Sequence, residues 1–349
     1  MKTIVQTARH SRLRLAQAIA CSTAIMAIIG TSQAMAQQSA YVPNKGELQT
    51  SFGTVYQDYN SAWQGKTFGE YPRTTTIQEY LVSISYGLTE NLSLDASTGY
   101  GTLTGGLSKG ARPNPNGCWN KPLNTFDGRQ CQDPIPQGSR DGRLDSTVGL
   151  RWSAVKENSE QWDSLPTIAL YGAAIIKGDY EPTPQALGNG ANGFKSGIAL
   201  GRYWKQIEFG INAGLEYQYL KGPQDVVPNN LNGSVGVYKF LGPYFVSSGY
   251  QFQHSQSGWD TGKGPFLANP DNLPADLVGP PDSRDYNRML NAVGRKENWQ
   301  SWQLGAGYVT EGGTVIFASY TDVFDGRNTA DRSTWQLNLT VPNQLFHRD

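Results

Sequence analysis

The sequence predicts an all-β chain: a single transmembrane antiparallel barrel of about twelve strands, with short periplasmic turns and long extracellular loops. Three observations carry that expectation. Segments of about ten residues alternate apolar and polar side chains, the length a tilted strand needs to cross a bilayer. The connections between them alternate strictly between tight and long. The chain also opens on an export signal.

Composition removes the competing classes. The 349 residues include 40 Gly, 18 Tyr and 9 Trp, only 17% are charged, and the mean hydropathy is −0.49. The 29 basic and 29 acidic side chains cancel, so no single-sign field invites a nucleic acid. No internal stretch approaches the roughly 18 apolar residues of a spanning helix. Helical membrane protein, basic nucleic-acid protein and disordered chain are excluded on these grounds.

At the amino end, Lys2, Arg9, Arg12 and Arg14 form a positive front with no acidic residue. An apolar run from Leu15 to Gly30 follows, and Ala34-Met35-Ala36 places small residues at the −3 and −1 positions of a cleavage site. Residues 1–36 therefore read as a secretory signal peptide cut after Ala36, and 37–45 as a periplasmic tail. The barrel is expected over 46–341, with 342–349 as a C-terminal tail. Cys21 is a poor lipoprotein site because its preceding apolar run is too short. Removing the signal takes away four basic residues, leaving a formal charge of −4 and two cysteines, Cys118 and Cys131. An even pair in an exported chain points to a disulfide, worth about 3 kcal/mol for a loop of this size. Only His254 and His347 remain as imidazoles, so no metal site is expected and no cofactor is implied.

The strands follow in order. Leu48, Thr50, Phe52, Thr54 and Tyr56 alternate with Glu47, Gln49, Ser51 and Gly53, and Tyr80, Val82, Ile84 and Tyr86 with Glu79, Ser83 and Ser85. Leu92, Leu94, Ala96 and Tyr100 alternate with Ser93, Asp95 and Ser97. Leu144, Val148, Leu150 and Trp152 oppose Arg143, Asp145, Thr147 and Arg151; Ile168, Leu170 and Ile176 oppose Thr167, Tyr171 and Lys177. The clearest segment runs from Ile207 to Tyr219, where every odd position is apolar and Glu208, Asn212, Glu216 and Gln218 fall between, with glycines. Trp302 to Tyr308 and Trp335 to Val341 repeat the pattern. Segments near 194–204, 231–240, 243–254 and 313–324 complete the twelve, with facing left open. The links around Glu90, Lys205-Gln206, Leu241-Gly242 and Glu311-Gly312 are tight, and that near 156–164 is of middling length. Long polar stretches cover 60–74, 105–142, 178–192, 221–230, 255–297 and 325–332. Sorted this way, the tight set reads as periplasmic and the long set as extracellular.

Tyr86-Gly87-Leu88-Thr89-Glu90-Asn91-Leu92 resembles the periplasmic turn of a bacterial outer-membrane barrel family labelled as meta-pathway phenol-degradation proteins or transporters. Leu304-Gly305-Ala306-Gly307-Tyr308 and Gly326-Arg327-Asn328-Thr329 are similar to its C-terminal portion. The resemblance implies a barrel that passes aromatic or other small organic compounds. Such barrels usually end on an aromatic residue, whereas this chain continues past Pro342 to Phe346-His347-Arg348-Asp349.

Catalytic constellations are weak. His254 neighbours Ser255 and Ser257, but residues two apart share a strand face and position 256 is Gln, so His254 reads as a rim histidine. No Gly-x-Ser-x-Gly elbow or His-Glu-x-x-His pair occurs. The inward set is more informative: Glu47, Glu79, Asp95, Arg143, Asp145, Arg151, Lys177, Glu208 and Glu216 should project into the lumen. Both signs are present, which argues against strong ion selectivity. The sequence therefore reads as a non-enzymatic outer-membrane channel for small organic solutes, with membrane lipid and the barrel-assembly machinery as partners. A lipid-acting barrel enzyme and a non-conducting structural or adhesive barrel are the alternatives, and twelve strands leave an open or plugged lumen undecided.

Overall fold

The structure, a computed structural model, describes residues 39–64, 67–105, 118–120, 125–127, 140–157, 165–179, 188, 191–221, 228–257 and 296–344. Among these described residues fifteen strands form: β1 (Glu47–Gln64), β2 (Thr67–Gly87), β3 (Leu92–Gly105), β4 (Cys118–Asn120), β5 (Thr125–Asp127), β6 (Arg140–Arg143), β7 (Ser146–Val155) and β8 (Thr167–Ile176). They continue as β9 (Gly193–Trp204), β10 (Phe209–Leu220), β11 (Asn230–Leu241), β12 (Tyr244–Ser255), β13 (Asn298–Val309), β14 (Val315–Arg327) and β15 (Ala330–Gln344). Each long strand pairs antiparallel with its sequence neighbours, β1 pairs with β15, and the β2–β3 ladder closes the ring. The result is a closed twelve-stranded antiparallel barrel with the short β6 beside β3 and a separate β4–β5 hairpin. Closure pairs each of the twelve barrel strands on both sides.

The outside of the ring is apolar. Leu94, Val148, Leu150, Leu170, Ile198, Leu215, Val235, Val246, Leu304, Ile316 and Leu337 are all exposed on it. Aromatic pairs mark its two ends: Tyr244 on Tyr308 and Trp204 on Phe209 beside the tight turns, and Phe194 on Tyr219 and Tyr320 on Trp335 toward the loops. Phe209 and Tyr219 stand ten residues apart on β10. At the rise of a tilted strand that spans about 25 Å along the axis, the height of a lipid-facing band between aromatic girdles.

All twelve expected strands form, but several boundaries move. Residues 60–74 are mostly strand, because β1 and β2 continue as a ladder whose partners reach Gln64 and Thr67. Backbone pairing in water does not require an apolar stripe, so polar sequence concealed this extension. The expected 325–332 loop is a two-residue link, Asn328-Thr329, with Asn328 at a φ of 55°. β10 begins at Phe209, and Lys205–Glu208 form the turn before it, with Glu208 at a φ of 51°. β15 runs through Pro342 to Gln344. There it pairs only with β1, since its ladder to β14 stops at Thr340, which leaves Pro342 on an edge where a proline is tolerated.

Candidate functional site

The inner face begins as a polar belt. Arg151 on β7 donates from Nη2 to Asp95 Oδ1 of β3 at 2.8 Å and to Ser85 Oγ of β2 at 3.1 Å. Both members of the ion pair are sealed, with Asp95 1% and Arg151 3% exposed. Ser85 and Ser93 hydroxyls donate to the same carboxylate. These bonds replace the hydration lost on burial, without which a buried pair is a net cost. Lys195 on β9 lies 3.7 Å from Glu216 on β10. Around the ring, Gln49 donates to Glu47 (2.9 Å), Gln303 to Ser319 (3.1 Å), and Ser51 bonds Thr340 (2.8 Å). In these two pairs the opposing charges neutralise one another locally.

Toward the tight-turn end the inner wall becomes aromatic. Tyr238, Phe240, Phe245, Val309, Val315 and Phe317 form a buried cluster with Tyr203 against it. Tyr203 stacks on Tyr238 (6.1 Å) and Phe245 on Phe317 (5.6 Å), while Phe240 meets Tyr238 edge-on. Inward glycines on neighbouring strands make room for these rings. A Cβ at Gly210 would stand 2.1 Å from the Tyr238 ring, and one at Gly307 would stand 2.2 Å from the Phe245 ring.

Residues 39–43 enter this interior. The expectation of a periplasmic tail over 37–45 is corrected here: Ser39, Ala40, Val42 and Pro43 are buried. Gly46, at a φ of 79°, turns the chain back from β1, and its N–H donates to Gly87 O (2.8 Å). Arg151 Nη1 then donates to Ser39 O at 3.1 Å, and Ala40 packs with Ala169, Tyr171 and Ala199. The Tyr41 ring touches both this group and the aromatic cluster. Its hydroxyl donates to Glu157 Oε1 at 2.6 Å. Burial, then Tyr238 and Glu157, push the Tyr41 hydroxyl pKa well up, so it stays protonated and remains the donor. Glu157 follows β7 and also accepts from Tyr203 N–H (2.9 Å), with Arg202 Nε 3.9 Å away.

Of the residues expected to point inward, Glu47, Glu79, Asp95, Asp145, Arg151 and Glu216 are buried. Asp95 and Arg151 meet directly, whereas Asp145 accepts from Gly178 N–H at 2.9 Å near the loop end. Three residues depart from the expectation. Arg143 is exposed opposite Tyr100, because β3 pairs Tyr100 with Arg143 but Ser97 with Thr147, so one extra residue at Leu144-Asp145 flips the parity. Leu144 itself turns inward onto Leu103 instead of outward. Lys177 is half-buried just past the end of β8, and Glu208 is exposed in its turn. The inward Lys195, Gln251 and the aromatic cluster carried no sequence expectation, whereas Gln303 lies on the polar face expected of its segment. His254 is exposed, while Ser255 is buried and donates to Asn230 Oδ1 (2.7 Å), so the two face apart. Among the described residues no three His, Cys, Asp or Glu gather around a point that could hold a metal. Cys131, Ala34 and Ala36 lie outside the described residues, and with them the expected bridge and cleavage site.

No family model matches the sequence, and no curated protein matches it. Among solved structures, the barrel is similar to an outer membrane channel from Pseudomonas putida F1. That match has a TM-score of 0.56 at 9% identity and covers 87% of this chain and 98% of that one. The likeness is one of fold. The NanC porin (TM-score 0.41, 10% identity, 83% and 98% covered) and a TodX monoaromatic hydrocarbon channel mutant (TM-score 0.34, 10% identity, 88% and 92% covered) are more distant.

Proposed function

We propose that this chain is an outer-membrane channel for passive passage of small organic solutes, aromatic or hydrophobic ones among them. The observation that carries the reading is the two-sided ring: an apolar band outside, and inside a polar belt that gives way to a wall of aromatic rings. A surface of that kind outside is stable against lipid, and alternating sealed polar and apolar patches inside suit small molecules with a ring and a polar group. In this reading the signal peptide is cut after Ala36, the assembly machinery inserts the barrel, and the tight turns lie in the periplasm. The Tyr86–Leu92 segment makes a tight turn, closed by Leu88 and Thr89 N–H groups donating to Leu92 O (2.8 and 3.1 Å). The His254–Ser255 arrangement gives no support to a lipid-acting enzyme.

The non-conducting barrel is favoured by a different observation. Inward side chains on every part of the wall, from Asp95 to Gln303, Ser319 and Thr340, are sealed from water. Single-channel recording in planar bilayers, with and without aromatic solutes, tests the choice. Conductance that aromatic solutes block or reduce is the expected result; a silent membrane containing folded protein would refute the channel. Tags at Pro136 and Asn272 should label on intact cells and one at Glu90 should not, which checks the orientation.

A further inference from the structure

The inner aromatic wall runs from β11 to β14, and its β11 end stands across the barrel from where the segment 39–43 enters. Around the ring the strands run β1, β2, β3, β7, β8, β9, β10, so β10 is diametrically across from β1. Tyr41 belongs to the segment that leaves β1, yet it packs against the aromatic cluster that holds Tyr238 of β11, next to β10. Twelve strands about 4.8 Å apart and tilted about 40° enclose a backbone cylinder about 24 Å across. From Asn44, which lies against Gly87, three residues of extended chain cover about 10 Å of that width. Beyond that, the Tyr41 ring meets the rings that project from the far wall.

We propose that residues 39–43 form a strap across the tight-turn mouth, with Tyr41–Glu157 as its catch, and that solute passage requires the strap to swing out. This rests on the channel reading above. The catch joins the strap to the segment that follows β7, so it fastens two parts of the mouth that the barrel ladder does not itself join. Ser39 O on Arg151 fastens the inner end. Val42 and Pro43 between them are buried and carry no polar side chain, so burial alone holds that part of the strap. Loss of one charge-assisted hydrogen bond should shift the closed-to-open balance about tenfold or more.

The test compares three proteins in planar bilayers: the native chain, the double variant Tyr41→Ala with Glu157→Ala, and a chain lacking residues 39–43. Each is first shown to be folded by its heat-shifted mobility on gels. The expected result is an open fraction at least about tenfold higher in both altered chains than in the native one. If the shortened chain does not fold, the double variant decides. Equal and measurable conductance throughout would overturn the strap and leave the channel standing. Silence from every folded protein would overturn both.

A second readout needs no conduction. In a chain with Cys21, Cys118 and Cys131 replaced by Ser, Ala40→Cys should react slowly with a water-soluble maleimide. Adding Glu157→Ala should make that reaction about tenfold faster. Fast labelling with Glu157 in place, or slow labelling in both, would overturn the strap irrespective of the recordings.

Discussion

Removing the Asp95 carboxylate tests the logic of the sealed belt. Asp95→Ala leaves the Arg151 guanidinium, 3% exposed, with Ser85 Oγ and Ser39 O as its remaining partners. Neither carries the negative charge that offset its burial, so the expected loss of stability is about 3–5 kcal/mol. Asp95→Asn keeps an acceptor and should cost less. Asp95→Ala combined with Arg151→Met removes both charges while filling most of the volume. That double variant should be more stable than Asp95→Ala alone by about 2 kcal/mol or more, giving a large coupling energy in the cycle. The measurement is reversible urea unfolding in lipid vesicles, followed by tryptophan fluorescence. Because the pair is sealed, the costs should not move between low and high salt. An Asp95→Ala cost below about 1 kcal/mol, or one that fades with salt, would show the pair to be hydrated and the belt to be open to water.

Three further expectations follow from the walls and the loops. Leu215 is 45% exposed on the outer face, so Leu215→Arg should cost about 2–4 kcal/mol in the same assay if it faces the bilayer midplane; a neutral effect would contradict the outer band. Gly307→Ala places a methyl 2.2 Å from the Phe245 ring and should destabilise by about 1–3 kcal/mol, with Phe245→Leu in the same chain recovering part of it. Peptide mass mapping of the exported protein should find Cys118 bonded to Cys131. Replacing both by Ser should speed proteolysis within 105–142 while leaving the heat-shifted barrel intact, and two free thiols in membrane-derived protein would dismiss the bridge.

How legible a strand was depended on what lines its inner face. β10 was the clearest because Gly210, Asn212, Gly214 and Glu216 leave apolar character only outside. β11, β12 and β14 were ambiguous because rings fill the inner positions too. Tyr238 and Phe240 sit behind Val235 and Val237, Phe245 precedes Val246, and Val315 and Phe317 flank Ile316. With both faces apolar, period-two contrast disappears, although the ring-filled interior is where the functional interest lies. Arg143 departs from its expected face for a different reason: a bulge inserts one residue without any marker in composition, and the positions before it change face. Pairing of Asp95 with Arg151 was within reach, since both positions were placed inward on segments that turn out to be adjacent. The path of Ser39–Pro43 was not. Its fit depends on walls contributed by residues more than a hundred positions away, and nothing local to Ala40-Tyr41-Val42 specifies them.

The entry of residues 39–43 beside β1 also constrains how the molecule can be assembled and handled. β1 and β15 form the seam between the chain's two ends, paired from Glu47 with Gln344 to Ala62 with Ala330. Polypeptide ahead of β1 is either inside when that seam zips shut or must be drawn in afterwards through the narrow mouth. The first route is cheaper in chain entropy, because a short tethered segment has few other places to go. It also means that whatever is fused ahead of Ser39 competes for the same bore. A purification handle at the amino end would alter the object being purified, whereas one inserted between β1 and β2 rides at the opposite end of the cylinder and leaves the bore alone.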